Sequence, residues 1–130
     1  TSDGCVSEFA ATRAAISRHV HRIVSTIRHQ AGYTGQLVIL HYYSLNDGSA
    51  AVSAQSRGLN QAQDAGAGAF HVRTADGYGV FATASTRFQN SPCLAGLLTQ
   101  TGAYGSCGVH PSYAGQNLLA HAVIAATRLP

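Results

Sequence analysis

Leu37-Val38-Ile39-Leu40-His41-Tyr42-Tyr43-Ser44 is the stretch on which the fold turns. Its four leading apolar residues stand in a row and do not alternate with polar ones. A half-buried strand alternates, because successive side chains point to opposite faces; a continuous run marks a strand covered on both faces, as in parallel sheets. The run predicts a strand over Gln36 to Tyr43 at the centre of an α/β fold.

Working outward, Val6, Phe9, Ile16, Val20, Ile23 and Ile27 recur at three, four or seven residues and predict an amphipathic helix from Val6 to Ala31. Gly32 is placed to stop it. On the other side, Ser44 to Ser49 reads as a turn-rich loop. Ala51 to about Gln63 reads as a second helix weakened by Gly58, and Ala69 to Arg73 as a short second strand. Thr74 to Val109, with six glycines at 77, 79, 96, 102, 105 and 108, reads as a long loop with a helical turn near Tyr78 to Phe81. Leu118, Leu119, Ala122, Val123 and Ala126 give the last element, Ser112 to about Arg128, an apolar helical face.

Helix, strand, helix, strand, loop and helix make an α/β layered order within one domain, residues 1–130. Two strands covered on both faces are too few for independent stability. The expected fold is therefore a partial doubly wound parallel sheet in a three-layer sandwich, with further strands supplied from outside these residues. An amino-terminal segment or a second copy of the chain would supply them.

Composition narrows the function classes. With 45% hydrophobic and 10% charged residues, the chain is no disordered polyelectrolyte. No apolar run approaches the ~20 residues that span a bilayer, so no integral membrane segment is expected. The net charge is +3, but the arginines are scattered; Arg13, Arg18, Arg22 and Arg28 share the first helix. Nucleic-acid binding wants a dense basic stripe, and none is expected here. Thr1 to Cys5 is polar and small, unlike a signal peptide, so the chain reads as mature, processed or truncated. Three cysteines, Cys5, Cys93 and Cys107, fit no metal-site spacing. Cys93 and Cys107 share one loop, where a bridge would pin a flexible segment; the competing reading is three free buried thiols.

The sharpest chemical signal is Cys107-Gly108-Val109-His110-Pro111-Ser112-Tyr113-Ala114-Gly115. It sets a histidine at the end of a loop, fixed by proline, just before a helix. An imidazole held there suits a general base, because it titrates near neutrality and can reach a substrate. His41 falls near the carboxyl end of the central strand, where open α/β sheets bind ligands. With Tyr42 and Tyr43 it is placed to line a substrate crevice or to pack. His19 and His21 do not share a helix face, and His29 adds no third ligand. His121 reads as a helix-surface residue. No metal and no cofactor are expected.

The His110 segment resembles the final block of SGNH (GDSL) hydrolases, in which a His-Pro pair, a small residue and a glycine open the last helix. Three further stretches resemble the same family in the expected order. Leu37 to Ser44 is similar to the strand ending in a Tyr-Tyr turn of actinobacterial members. Ala75-Asp76-Gly77-Tyr78-Gly79-Val80-Phe81 is similar to the segment after a later strand. Pro92-Cys93-Leu94-Ala95-Gly96-Leu97-Leu98, followed by Cys107, is similar to the disulfide-bearing loop that leads to the histidine. The resemblance implies the carboxyl-terminal half of a secreted lipase or esterase acting on acyl esters or lipids. His110 would be the general base for a serine, and Cys5 would pair with a cysteine upstream.

The departures are equally specific. No Gly-Asp-Ser block occurs, and no oxyanion glycine or asparagine is matched. Asn46-Asp47-Gly48-Ser49 is in the wrong order. Ser44-Leu45-Asn46-Asp47 could stand as a third block only by leaving a short stretch before His110. The aspartate that should orient the histidine is absent; Cys107 and Gly108 occupy its two candidate positions. Asp76 is the substitute by sequence, with a turn-capping role as the simpler reading. Ser44, Ser106 and Ser112 are the best-placed alternative nucleophiles, and Ser112 more simply caps the last helix. Cys107 is a further outsider, silenced if bridged. Two functions follow: a part-enzyme that contributes His110, or a non-catalytic module that acts by binding or dimerisation.

Overall fold

A computed structural model describes residues 2–128, with side chains from Glu8 onward. The expectation for Cys5 lies outside those described side chains. The architecture is mixed α/β. Helix α1 (Ser2–Ser25) runs into a π-helical turn (Thr26–Gln30), followed by strand β1 (Val38–Leu40), helix α2 (Ala50–Ala67) and strand β2 (Arg73–Ala75). Then come α3 (Gly77–Ser85) with a 3₁₀ turn (Thr86–Phe88), β3 (Leu98–Gln100), β4 (Cys107–Pro111) and α4 (Tyr113–Ala126).

Strands β1 and β2 pair in parallel, with Val38 opposite Arg73, Ile39 opposite Thr74 and Leu40 opposite Ala75. The connection passes through α2, as a parallel crossover requires. The ladder extends one residue each way: Arg73 N–H donates to the Leu37 carbonyl and His41 N–H to the Ala75 carbonyl, both at 2.9 Å. Asn60, buried on α2, continues it with its side-chain amide. Its Oδ1 accepts from Tyr42 N–H at 2.7 Å and its Nδ2 donates to the Tyr42 carbonyl at 2.9 Å. The carboxyl end of β1 is thus satisfied by a side chain standing where a strand would otherwise be.

The two faces of this pair are covered differently. Thr74 and His41 face α2, where both reach Asp64. Leu40 faces the other way, toward Gly77 and Leu119 of α4. Helix α1 makes its extensive contact with α2 rather than with the sheet. Small residues on α2 permit that packing. A Cβ on Gly66 would lie 2.4 Å from the Ser17 carbonyl oxygen, so only glycine fits there.

The main apolar core lies on the α4 side and at the carboxyl end of β1. Tyr43, Phe81, Leu97 and Leu98 form it, with Leu45, Val80, Leu118 and Leu119 packed around them. Phe81 is fully buried. Its ring stacks on Tyr43 at 4.2 Å between centroids.

Several expectations need correction. The doubly wound sheet is present only as one parallel pair; the second sheet is the antiparallel hairpin β3–β4. The stretch 74–109, read as mostly loop, holds a nine-residue helix and most of that hairpin. Asp76 starts the helix by accepting from Gly79 N–H at 2.8 Å, which offsets the cost of its two glycines. The hairpin strands are short and carry Thr99, Gln100, Gly108 and His110, so no long apolar pattern marks them. The second strand begins at Arg73, not Ala69, because His71 adopts a left-handed backbone (φ 53°) that breaks extension. Helix α2 runs on to Ala67, beyond the expected Gln63. Gly32 (φ 66°) does close the first helix, just past the π turn.

Candidate functional site

His110 sits inside β4, on an exposed strand of the hairpin, not at the end of a loop as expected. Its carbonyl accepts a hydrogen bond from the Thr99 hydroxyl at 3.3 Å. Among the described residues its ring has no hydrogen-bond partner, neither carboxylate nor serine. The strand carrying it is fixed by three devices. The Cys93–Cys107 disulfide closes the loop before it, with Cα atoms 5.7 Å apart, so these two thiols are not free. Closing a loop of that length contributes about 3 kcal/mol. The Ser112 backbone N–H donates to the Leu97 carbonyl at 2.8 Å, locking the hairpin to the start of α4. Third, the Tyr43 hydroxyl donates to the Val109 carbonyl at 2.7 Å.

That last bond joins two of the regions singled out from sequence, the end of the central strand and the His110 segment. Tyr43 is 5% exposed, wedged between Phe81 and Tyr42, whose ring stacks on it at 4.9 Å. Burial, reinforced by neighbouring Tyr42, pushes the Tyr43 phenol up to about 12, so it stays a neutral donor. Tyr43 is therefore a packing and tethering residue, while Tyr42, largely exposed, presents its ring to solvent.

His41 is drawn elsewhere. Its Nε2 lies 2.9 Å from Asp64 Oδ1, and the Thr74 hydroxyl donates to the same oxygen at 3.3 Å. His41 thus has the orienting carboxylate that His110 lacks. Sequence reasoning missed Asp64, because a pairing across 23 residues between a strand end and a helix face leaves no local pattern.

Asp47, weighed from sequence only as part of a possible third block, is set apart by its burial. Both its carboxylate oxygens are buried without a hydrogen bond of normal geometry. Burial raises its pKa, and the Ser44, Tyr78 and Ser53 hydroxyls and Arg57 offset this in part. Ser44, a candidate nucleophile, is fully buried beside it. Ser112 is engaged as the cap of α4: its hydroxyl donates to the Gly96 carbonyl at 2.6 Å and accepts from Gly115 N–H at 3.2 Å. Asp76 is likewise a helix cap. Ser106 is exposed in the hairpin turn.

Beside β1 lies a third feature. Val38 and Leu40 point their backbone groups away from β2, and no strand among the described residues pairs with that edge. Separately, an apolar cavity of about 260 Å³ lies between the first helical segment (Val20, Ile23 and Val24 of α1, Ile27 of the π turn) and the start of the parallel pair, where Val72 lines it beside Leu37 and Ile39. Ile23 is left 58% exposed.

Among the described residues no three His, Cys, Asp or Glu side chains converge. No described helix is long and apolar enough to cross a membrane. The disulfide fits an oxidising compartment. No family model matches the chain, and no curated protein or solved structure matches it either.

Proposed function

We propose that this chain is the histidine-bearing part of an SGNH-type serine ester hydrolase, with the nucleophile supplied by a segment that pairs with the free edge of β1. The observation that carries this is the Tyr43–Val109 tether. It holds His110 at the carboxyl end of the parallel pair, the end at which open α/β sheets bind ligands. The edge of β1 that no described strand pairs with supports the second half of the reading. In the assembled site His110 would take the proton of a serine hydroxyl as it attacks the ester carbonyl. It would return that proton to the leaving alcohol, and water would then release the acid. The substrate would be an acyl ester or lipid, with Tyr42 and His41 on the wall of the crevice, and the protein would act outside the cell.

A second reading, a non-catalytic module that binds or dimerises through the β1 edge, is favoured by one observation: among the described residues no carboxylate orients the His110 ring. Labelling with a fluorophosphonate serine probe separates them. The expected result is no labelling of the 130-residue chain alone, and labelling once a segment bearing a Gly-Asp-Ser block is added in trans, lost again in His110→Ala. Labelling of a serine within the chain itself would overturn the part-enzyme reading. Silence in both conditions would favour the binding module.

A further inference from the structure

A second cleft shares no lining residue with the His110 region. It lies along the outer side of α1 where α2 ends, with a volume of about 570 Å³. Its walls are Arg18, His21, Arg22, Ser25, Thr26 and Gln30, and Ser17, Ala65 and Gly66 form its floor. Arg18 and Arg22, His21 and Ser25, Arg22 and Thr26, and Thr26 and Gln30 are each four apart in sequence, so they stack along one side of the helix.

Three observations give this cleft a chemical sign. Its lining holds two guanidinium groups, an imidazole, hydroxyls and an amide, and no carboxylate. Among the described residues, neither Arg18 nor Arg22 forms a hydrogen bond or ion pair; the one ion pair is His41 with Asp64. The nearest acid in sequence, Asp64, is occupied by His41 and Thr74. By contrast, Arg13 and Arg28, on the same helical segment, both have partners: Arg13 reaches Gln61, and Arg28 reaches the Phe70, Tyr33 and Gly35 carbonyls.

The cleft is also built, in that its walls are fixed. The glycine at 66 brings α2 against the Ser17 carbonyl and closes the floor. The His21 ring is held edge-on against Phe70 at 5.0 Å. The π-helical turn begins at Thr26 and ends at Gln30, both of which line the cleft. Such single wide turns recur at functional sites because they re-aim side chains by one residue.

We infer that this cleft binds a phosphate group, as inorganic phosphate or as a phosphate monoester headgroup. Phosphate offers several acceptor oxygens and a double negative charge, and forked guanidinium donors match it in shape and sign. Two arginines suit one such group and not a polyanion, which would need a longer basic track. The inference is independent of the ester-hydrolase reading, since the cleft shares no residue with the His110 region.

Calorimetric titration of inorganic phosphate into the full 130-residue chain is the test. One saturable site is expected, weakened about tenfold by Arg18→Gln and again by Arg22→Gln. Thr26→Glu, at an exposed position, should abolish it by repulsion. Circular dichroism of each variant would establish that the fold is retained. No saturable binding, or binding that survives Arg18→Gln with Arg22→Gln, would overturn the inference. Co-sedimentation with phosphatidic acid vesicles then identifies the source. Competition of vesicle binding by inorganic phosphate points to a headgroup, and vesicles left unbound by a phosphate-binding chain point to a free phosphate.

Discussion

The two sheets of this molecule end in opposite ways. The hairpin β3–β4 is closed: a disulfide, the Tyr43 tether and the capped start of α4 hold it on three sides. The parallel pair β1–β2 is open: among the described residues no strand pairs with the outer edge of β1. In the proposed reading the closed region holds His110 in place, and the open edge is where a complementary segment would pair. An exposed edge carrying apolar residues is a pairing site unless it is protected, and β1 carries no charge, proline or bulge.

The contrast can be broken from the closed side first. Phe81→Ala removes the ring on which Tyr43 stacks and should cost about 3–5 kcal/mol, read as a fall in the denaturant midpoint. Replacing both Cys93 and Cys107 by serine should cost about 3 kcal/mol and increase amide exchange in β4 more than in β1. Tyr43→Phe keeps the stack and deletes the bond to Val109, costing about 1 kcal/mol. Nuclear magnetic resonance should show its largest shifts at Val109 and His110.

The smallest effect has the opposite sign. Asp47 is buried with a raised pKa, so the folded state holds its proton more tightly than the unfolded chain does. Below the unfolded carboxylate pKa both states are protonated and nothing is lost. As pH rises through the folded value the ionised group becomes a penalty. Asp47→Asn should therefore raise the melting temperature at neutral pH and leave it unchanged in acid. A variant less stable than the parent at neutral pH would contradict this.

The same division explains how far the residues could be read. The first and last helices and the position of the first strand were legible because each has a long apolar period or run, but that strand is Val38–Leu40 rather than Gln36 to Tyr43 and is only half-buried, with Leu40 exposed, not covered on both faces. Helix α3 was hidden by Gly77 and Gly79, although Asp76 and Phe81 fix its start and its buried face. The hairpin was hidden because its strands are short and only partly buried, with order that comes from Cys93–Cys107 and Tyr43 rather than from local propensity. The shift of the second strand turns on one backbone angle at His71. Of the site, His110 and its neighbours could be picked out as residue types. The tether to Tyr43, the Asp64 partner of His41 and the buried Asp47 are contacts across 66, 23 and up to 31 residues, which no local motif encodes.

The open edge is the central claim, and sedimentation equilibrium of the purified chain tests it most directly. Val38 directs its N–H to the bare side of β1, so Val38→Pro blocks pairing there without touching the bonds to β2. With no other segment present, the account predicts that the parent chain dimerises and that Val38→Pro is a folded monomer with an unchanged circular dichroism spectrum. A parent chain that stays monomeric at every concentration, with a sharp thermal transition, would contradict it.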